Sequence, residues 1–342
     1  MAPRKVNKEK PTVSESRKVD HIELALAASA NNFEADGRFM YEPLFSGHDA
    51  SIPESSFVGK TLAMPLWVSS MTGGTEKAYT INKNLARACK NFGIGMGLGS
   101  CRQLLYSDER LKDFSWRKEI GDSLPFFANL GIAQIEELWE SNRLGSIKEL
   151  LRKLDADGLF VHVNPLQEWL QPEGDRLHHP PIQTIISLLE KADYPVIVKE
   201  VGQGMGYHSL KTLMQLPLAA IEFAAFGGTN FSKLELLRGN EHTSAAYEVL
   251  SRVGHNARDM TDFVNEILKE ENNIICKDFI ISGGLKDFLD GYYYINKINT
   301  RAIYGQASAL LQYAAVSYEH LEQYLYRQRE GLKLAYAYLK IK

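Results

Sequence analysis

The sequence predicts an α/β chain folded as a (β/α)8 barrel. Apolar runs that end in glycine or small polar residues recur eight times, with helix-length segments between them. The chain's 342 residues are enough for eight such units in a single large domain. An open, doubly wound sheet is the competing arrangement, and the count of eight favours the barrel.

Residues 1–16 (MAPRKVNKEKPTVSES) are polar, lysine-rich and aperiodic, and read as a disordered basic tail. Glu9 and Glu15 interrupt any mitochondrial presequence. A helix can start at Ser16, which puts Arg17, Lys18 and His21 near its beginning, with Arg17 and His21 on one face. The barrel domain is expected over 17–342. Its strand runs lie at 65–74, 93–100 and 125–131, in the stretch from Gly158 that Pro165 stops, and at 195–202, 219–229, 279–285 and 302–308. Helices are expected at 78–92, 134–142, 181–192 and 209–215. The spacer 230–278 carries two helix-like segments, 244–253 and 258–271, so the sixth unit has an elaborated loop. Residues 318–342 read as one or two extra outer helices.

Composition narrows the function. With 44% hydrophobic and 24% charged residues the chain has ample core. A net charge of −3 gives no reason to expect nucleic acid or an anionic membrane as partner. No apolar run approaches the ~18–20 residues of a spanning helix. Three cysteines without metal-ligand spacing suit a reducing cytoplasm.

A barrel gathers its chemistry at the carboxyl ends of the strands. There the sequence places Ser70, Met71, Thr72, Gly73, Ser100, Arg102, Asn129, His162, Asn164, Gln167, Glu168, Lys199, Thr229, Gly283, Gly284, Lys286, Ala307 and Ser308. The loops after strands seven and eight, Ser-Gly-Gly-Leu-Lys and Gly-Gln-Ala-Ser, suit a phosphate, because small residues let backbone N–H groups approach an anion. Lys199 sits in an otherwise apolar strand. It could form a Schiff base, neutralise a phosphate or stabilise negative charge on a reduced flavin. Glu168 is the single carboxylate beside amide groups, which suits Mg2+ completed by substrate phosphates. With Arg17, Lys18 and Arg102 it would make a diphosphate receptor. No paired carboxylates stand out as acid and base. His162 and Asn164 are expected to share a face with Phe160. His178-His179 reads as an exposed turn, and Trp116, Trp139 and Trp169 as packing anchors.

Several motifs together resemble the type 2, FMN-dependent isopentenyl-diphosphate isomerases over about residues 17–311. They are Arg17-Lys18 with His21, Ser70-Met-Thr-Gly-Gly74, Gly99-Ser-Cys-Arg102, Asn129-Leu-Gly131, His162-Val-Asn-Pro-Leu-Gln-Glu168 with Gln171-Pro-Glu-Gly-Asp175, Val198-Lys-Glu-Val-Gly202, Gly227-Gly-Thr229 and Ser282-Gly-Gly284. The resemblance implies a flavin barrel that uses Mg2+ and NADPH as reductant and interconverts isopentenyl and dimethylallyl diphosphate in isoprenoid biosynthesis. It implies that Met71, Thr72, Gly73, Ser100, Asn129, Lys199 and Thr229 hold the flavin. Gly283, Gly284, Leu285, Lys286, Ala307 and Ser308 would hold its phosphate. Arg17, Lys18, Ser100, Arg102, His162, Asn164 and Gln167 would face the substrate, and Glu168 would hold Mg2+. Reduced FMN would be the acid–base group, with Lys199, His162 and Gln167 as positioning residues. A homotetramer or larger assembly is also implied.

The chain departs from that pattern at Cys101, where the family usually has glutamine, at Leu285-Lys286, where it has isoleucine–arginine, and at Asn230-Phe-Ser-Lys. An FMN-dependent 2-hydroxy-acid oxidase or dehydrogenase would need a histidine paired with arginines, for which His242 and His255 are candidates. A non-catalytic flavin- or phosphate-binding barrel is the remaining alternative.

Overall fold

The computed structural model describes residues 11–70, 72–239 and 246–342. They fall into two compact units, residues up to Met40 with Lys342, and Tyr41–Ile341.

In the first unit a helix spans Pro11–Leu24. It starts ahead of Ser16, so part of the segment expected to be a tail is helical. A short turn of 3-10 helix follows at Asn32–Glu34, where the Asn31 side chain accepts the Phe33 N–H and caps it.

The second unit is a closed barrel of eight parallel strands. In chain order these are β1 (Leu66–Val68), β2 (Gly95–Gly97), β3 (Phe126–Gly131) and β4 (Gly158–His162). They continue as β5 (Val196–Lys199), β6 (Ala220–Glu222), β7 (Asp278–Ser282) and β8 (Arg301–Gln306). Each lies inside or within a residue of its expected run. Closure comes from β8 pairing with β1, where Tyr304 stands against Leu66 and Gln306 against Val68. Such strands are buried on both faces, which is why they read as short apolar runs rather than as alternating ones.

Helices follow most strands, as the pattern requires, among them Glu76–Phe92, Ile132–Glu140, Pro181–Leu189, Tyr207–Met214 and Ala257–Glu270. The first is capped by Thr75 and ends at Gly93 in the left-handed region. Within the segment 244–253 the described structure is dominated by a 3-10 helix at Glu248–Arg252. The carboxyl terminus is one helix, Tyr318–Tyr338, and a short strand, Leu339–Ile341, where only helix was expected.

The barrel's amino-terminal floor is sealed twice. Trp67, Phe127 and Phe160 pack inside it with ring centroids 5.7–6.0 Å apart. A hairpin of strands Ser55–Phe57 and Lys60–Leu62 sets Phe57 against Trp67 at 5.6 Å. Its two turn residues, Val58 and Gly59, both have positive φ, the geometry that matches the twist of paired strands. Lys60 and Arg117 then meet on Asp157, at 2.6 and 2.7 Å. With the floor filled, the carboxyl ends of the strands are the open mouth.

Removing the ring of Phe160, which is fully buried, is expected to cost about 3–5 kcal/mol. Urea unfolding of Phe160→Ala should show a lower midpoint at an unchanged slope.

Candidate active site

The mouth opens into a cleft between the strand ends. On one side the backbone ladder sets His162 beside Lys199 and Lys199 beside Glu222. Register partners in parallel strands point to the same face, so the three side chains stand at one level. Lys199 is only 6% exposed, and its Nζ donates to the Glu200 carbonyl at 2.8 Å. An ammonium has three N–H donors, so the cleft can use the others.

His162 is outside the cleft's lining, with Nδ1 2.7 Å from Asn129 Oδ1. That oxygen only accepts, so Nδ1 carries the proton and Nε2 keeps its lone pair. Burial, reinforced by the Lys199 charge, pushes the imidazole down to about 3. His162 is therefore neutral at pH 7, a positioning group rather than an imidazolium acid. Gly131 permits this approach, because a Cβ there would lie 2.8 Å from Nε2 of His162 and 2.4 Å from Gln134 Oε1.

Glu222 ends β6 fully buried. Its Oε1 accepts from Ser282 Oγ at 2.9 Å, and Oε2 has no partner among the described residues. Ser69 Oγ, Ser70 Oγ and Gln306 Nε2 are likewise buried and unpartnered, and all four residues line the cleft. Native proteins rarely leave so many buried polar atoms unsatisfied around one hollow unless a polar ligand completes them.

Beyond Lys199 the cleft is walled by backbone. Gly227, Gly283 and Gly284 have φ of 119°, 91° and 77°. A Cβ on Gly283 would lie 2.1 Å from the Ala225 carbonyl oxygen, so the loops after β6 and β7 meet with no room for side chains. The helix Ser308–Val316 begins at the same wall, where its N-terminal dipole favours an anion.

A second group surrounds the helix Pro165–Leu170, which Pro165 opens from its first turn. Buried Asn164 donates from Nδ2 to Gln167 Oε1 at 3.1 Å and Glu168 Oε1 at 2.9 Å. Its own Oδ1 is buried without a partner among the described residues. Glu168 Oε2 accepts the Asp175 N–H at 2.9 Å. Asp175 in turn pairs with Arg102 at 2.7 Å and accepts from Gln134 at 3.1 Å. Gln167 Nε2 donates to Glu235 Oε1 at 3.2 Å. The lone oxygen of Asn164 beside the Glu168 carboxylate is a donor set of hard oxygens, the kind Mg2+ accepts.

Of the sequence candidates, Lys199, Thr229, Gly283, Gly284, Leu285, Ala307 and Ser308 line the cleft. Thr72 lines a smaller adjoining pocket that shares Ser69 and Ala307. Gly73 lies against the Phe114 ring, Ser100 is exposed, and Asn129 Oδ1 faces His162. The Lys286 side chain is exposed and outside the lining, so the charge expected there stands away from the cradle. Asn164 sits past the strand end with φ −137° and ψ 45°, and turns to Gln167 and Glu168 instead of continuing the face of Phe160 and His162. Arg17 and Lys18 are exposed on the helix of the first unit. Met71 and His242 lie outside the described residues, and the His255 ring packs on Phe263. Burial raises the Cys101 thiol to about 12, so this departure leaves an inert side chain.

The expectation of one isolated carboxylate is corrected by Glu222, Glu235 and Asp175. Glu222 carried a signal that was readable, a charged residue closing an apolar strand just as Lys199 does. Glu235 lies in the helix Phe231–Arg238 and reaches Gln167 only through tertiary packing.

The neutral, partly buried His162 sets an acid limit. As pH falls from 6.5 towards 3 the unfolded chain takes up a proton that the native ring refuses. Stability present above 6.5 is then lost by up to about 1.4 kcal/mol per pH unit. Urea titrations between pH 7 and pH 4 should show a shallower acid-side loss in His162→Gln than in the wild type.

The chain matches no family model. A flavocytochrome b2 double mutant with pyruvate bound superposes with a TM-score of 0.57 at 16% identity, over 92% of this chain and 77% of that one. A mandelate oxidase mutant with the monooxide FMN adduct does so at 0.53 and 12% identity, over 97% and 99%. At these identities the likeness is one of fold. Sequence relatives are closer. A Chlorobium phaeobacteroides protein named isopentenyl-diphosphate delta-isomerase is 31% identical, over 80% of this chain and 78% of its own. A Rickettsia africae protein of the same name is 34% identical, over 93% and 91%. With identity at that level sustained along most of both lengths, the chain belongs to the isopentenyl-diphosphate delta-isomerase family.

Proposed function

We propose that this chain interconverts isopentenyl and dimethylallyl diphosphate by a 1,3 proton shift in isoprenoid biosynthesis, as an FMN-dependent enzyme of the type 2 kind that uses Mg2+ and is reduced by NADPH. The carrying observation is the cleft itself, where unpartnered buried polar atoms, the Lys199 ammonium and a side-chain-free glycine wall converge. That combination fits a flavin with its phosphate. Bound and reduced, FMN supplies the acid–base function that an unactivated alkene demands.

The residues divide the remaining work. Gly283, Gly284, Leu285, Ala307 and Ser308 would receive the cofactor phosphate on backbone N–H groups. Lys199 offsets negative charge on the reduced ring. Thr72, Gly73, Ser100, Asn129 and Thr229 complete the flavin's surroundings. Glu168, with Asn164 Oδ1, would hold Mg2+ against the substrate diphosphate, and Arg102 would supply a cationic contact. Neutral His162 and Gln167 position substrate and water, and an apolar wall would exclude bulk water.

We further assign the enzyme to the cytoplasm, in keeping with its three free cysteines. Among the described residues no helix is long and apolar enough to cross a membrane. A homo-oligomer of four or more copies is supported by exposed apolar side chains on the first unit, among them Ile22, Leu26 and Phe33.

The purified protein should be yellow. It should isomerise isopentenyl diphosphate anaerobically when FMN, Mg2+ and either NADPH or dithionite are present. Turnover with air-oxidised FMN and no reductant, or none under any condition, would overturn the proposal. Gln167→Ala should lower turnover about 100-fold with flavin content unchanged, because a positioning contact is lost. Gly283→Ala should instead purify with depleted flavin, read from its visible absorbance.

A further inference from the structure

Away from the cleft, Glu136 and Glu140 stand one turn apart on the helix Ile132–Glu140 and converge on His179. His179 Nδ1 is 3.2 Å from Glu136 Oε1 and 3.5 Å from Glu140 Oε1. One ligand atom from each residue lies within 4.8 Å of the other two. Three atoms bound at 2.0–2.2 Å around a tetrahedral ion stand about 3.4 Å apart. The cluster is thus within a small side-chain adjustment of a coordination sphere.

A second observation points to a ligand. Glu136 is only 3% exposed. Its Oε1 accepts the backbone N–H groups of His178 at 2.6 Å and His179 at 2.9 Å, which fixes the carboxylate. Its other oxygen, Oε2, is buried without a partner among the described residues. The His179 ring is held edge-on by Trp139 at 4.9 Å. His179 and Glu140 stay partly open to solvent, at 36% and 45%, which leaves an entry path and room for water ligands. The His178-His179 pair is therefore only half the exposed turn that its sequence suggests.

We propose that Glu136, Glu140 and His179 Nδ1 bind a divalent transition-metal ion of the zinc class, at a site separate from Glu168. An imidazole in the donor set selects such an ion over Mg2+. The segment between Asp175 and His179 is short, and Gln134, which contacts Asp175, lies on the same helix as both carboxylates. A bound ion would pin that segment and so hold Asp175 against Arg102 and Glu168. A hydrogen-bonding contact of His179 with the two carboxylates alone is the competing explanation, and it takes up no metal.

The full chain, stripped with a chelator and dialysed, would be titrated with Zn2+ by calorimetry and with Co2+ by visible absorption. One equivalent should bind, with a Co2+ spectrum showing low coordination number. His179→Ala and Glu140→Gln should each weaken binding at least tenfold with circular dichroism unchanged; both sites of change are partly exposed, so folding is preserved. Failure of the wild type to bind Zn2+, or equal affinity in both variants, would overturn the proposal.

Discussion

The hydrogen-bonded register of β4, β5 and β6 is the constraint on which the site depends. It places His162, Lys199 and Glu222 side by side at one height of the barrel wall. A slip of one residue would turn Lys199 outwards and bury an apolar neighbour in the mouth. The register is held from below by large rings that fit only one way, with Trp67, Phe127 and Phe160 filling the floor. Packing at one end therefore fixes electrostatics at the other. An ammonium and a carboxylate this deeply buried are tolerable because the strands orient them towards each other's level and towards a polar hollow.

The cleft and the group around Glu168 are built on different principles. The cleft wall is backbone, shaped by glycines whose conformations exclude side chains. The Glu168 group is a side-chain network, in which Asn164, Gln167, Glu168 and Asp175 restrain one another and draw in Arg102, Gln134 and Glu235. Backbone walls suit a resident group that must not move. Side-chain networks suit a substrate that comes and goes, since their members can exchange partners at little cost.

The eight strands were legible because a parallel barrel strand is buried on both sides and must be apolar almost throughout. The glycine loops were legible because few other residues fit there. Three kinds of feature were hidden. Strands as short as Ser55–Phe57 and Lys60–Leu62 carry too few residues for a period to appear. Contacts such as Gln167 with Glu235, or Glu136 with His179, join elements far apart in the chain, and no local pattern records them. Finally, Asn164 left the strand face because Pro165 opens a helix there, so its side chain turned to the Gln167 and Glu168 side chains of that helix. Lys286 shows the reverse case, a charge in the expected loop whose side chain leaves the wall.

Closure of β8 on β1 joins residues near 305 to residues near 67, almost the whole barrel apart in sequence. Contacts of such long separation form late, because the loop entropy is met before the pairing rewards it. The cleft takes Ser69 and Ser70 from one side of that seam and Gln306 and Ala307 from the other. During synthesis the ribosome must therefore release nearly the entire chain before a ligand site exists, and no partly made barrel can capture its ligand early.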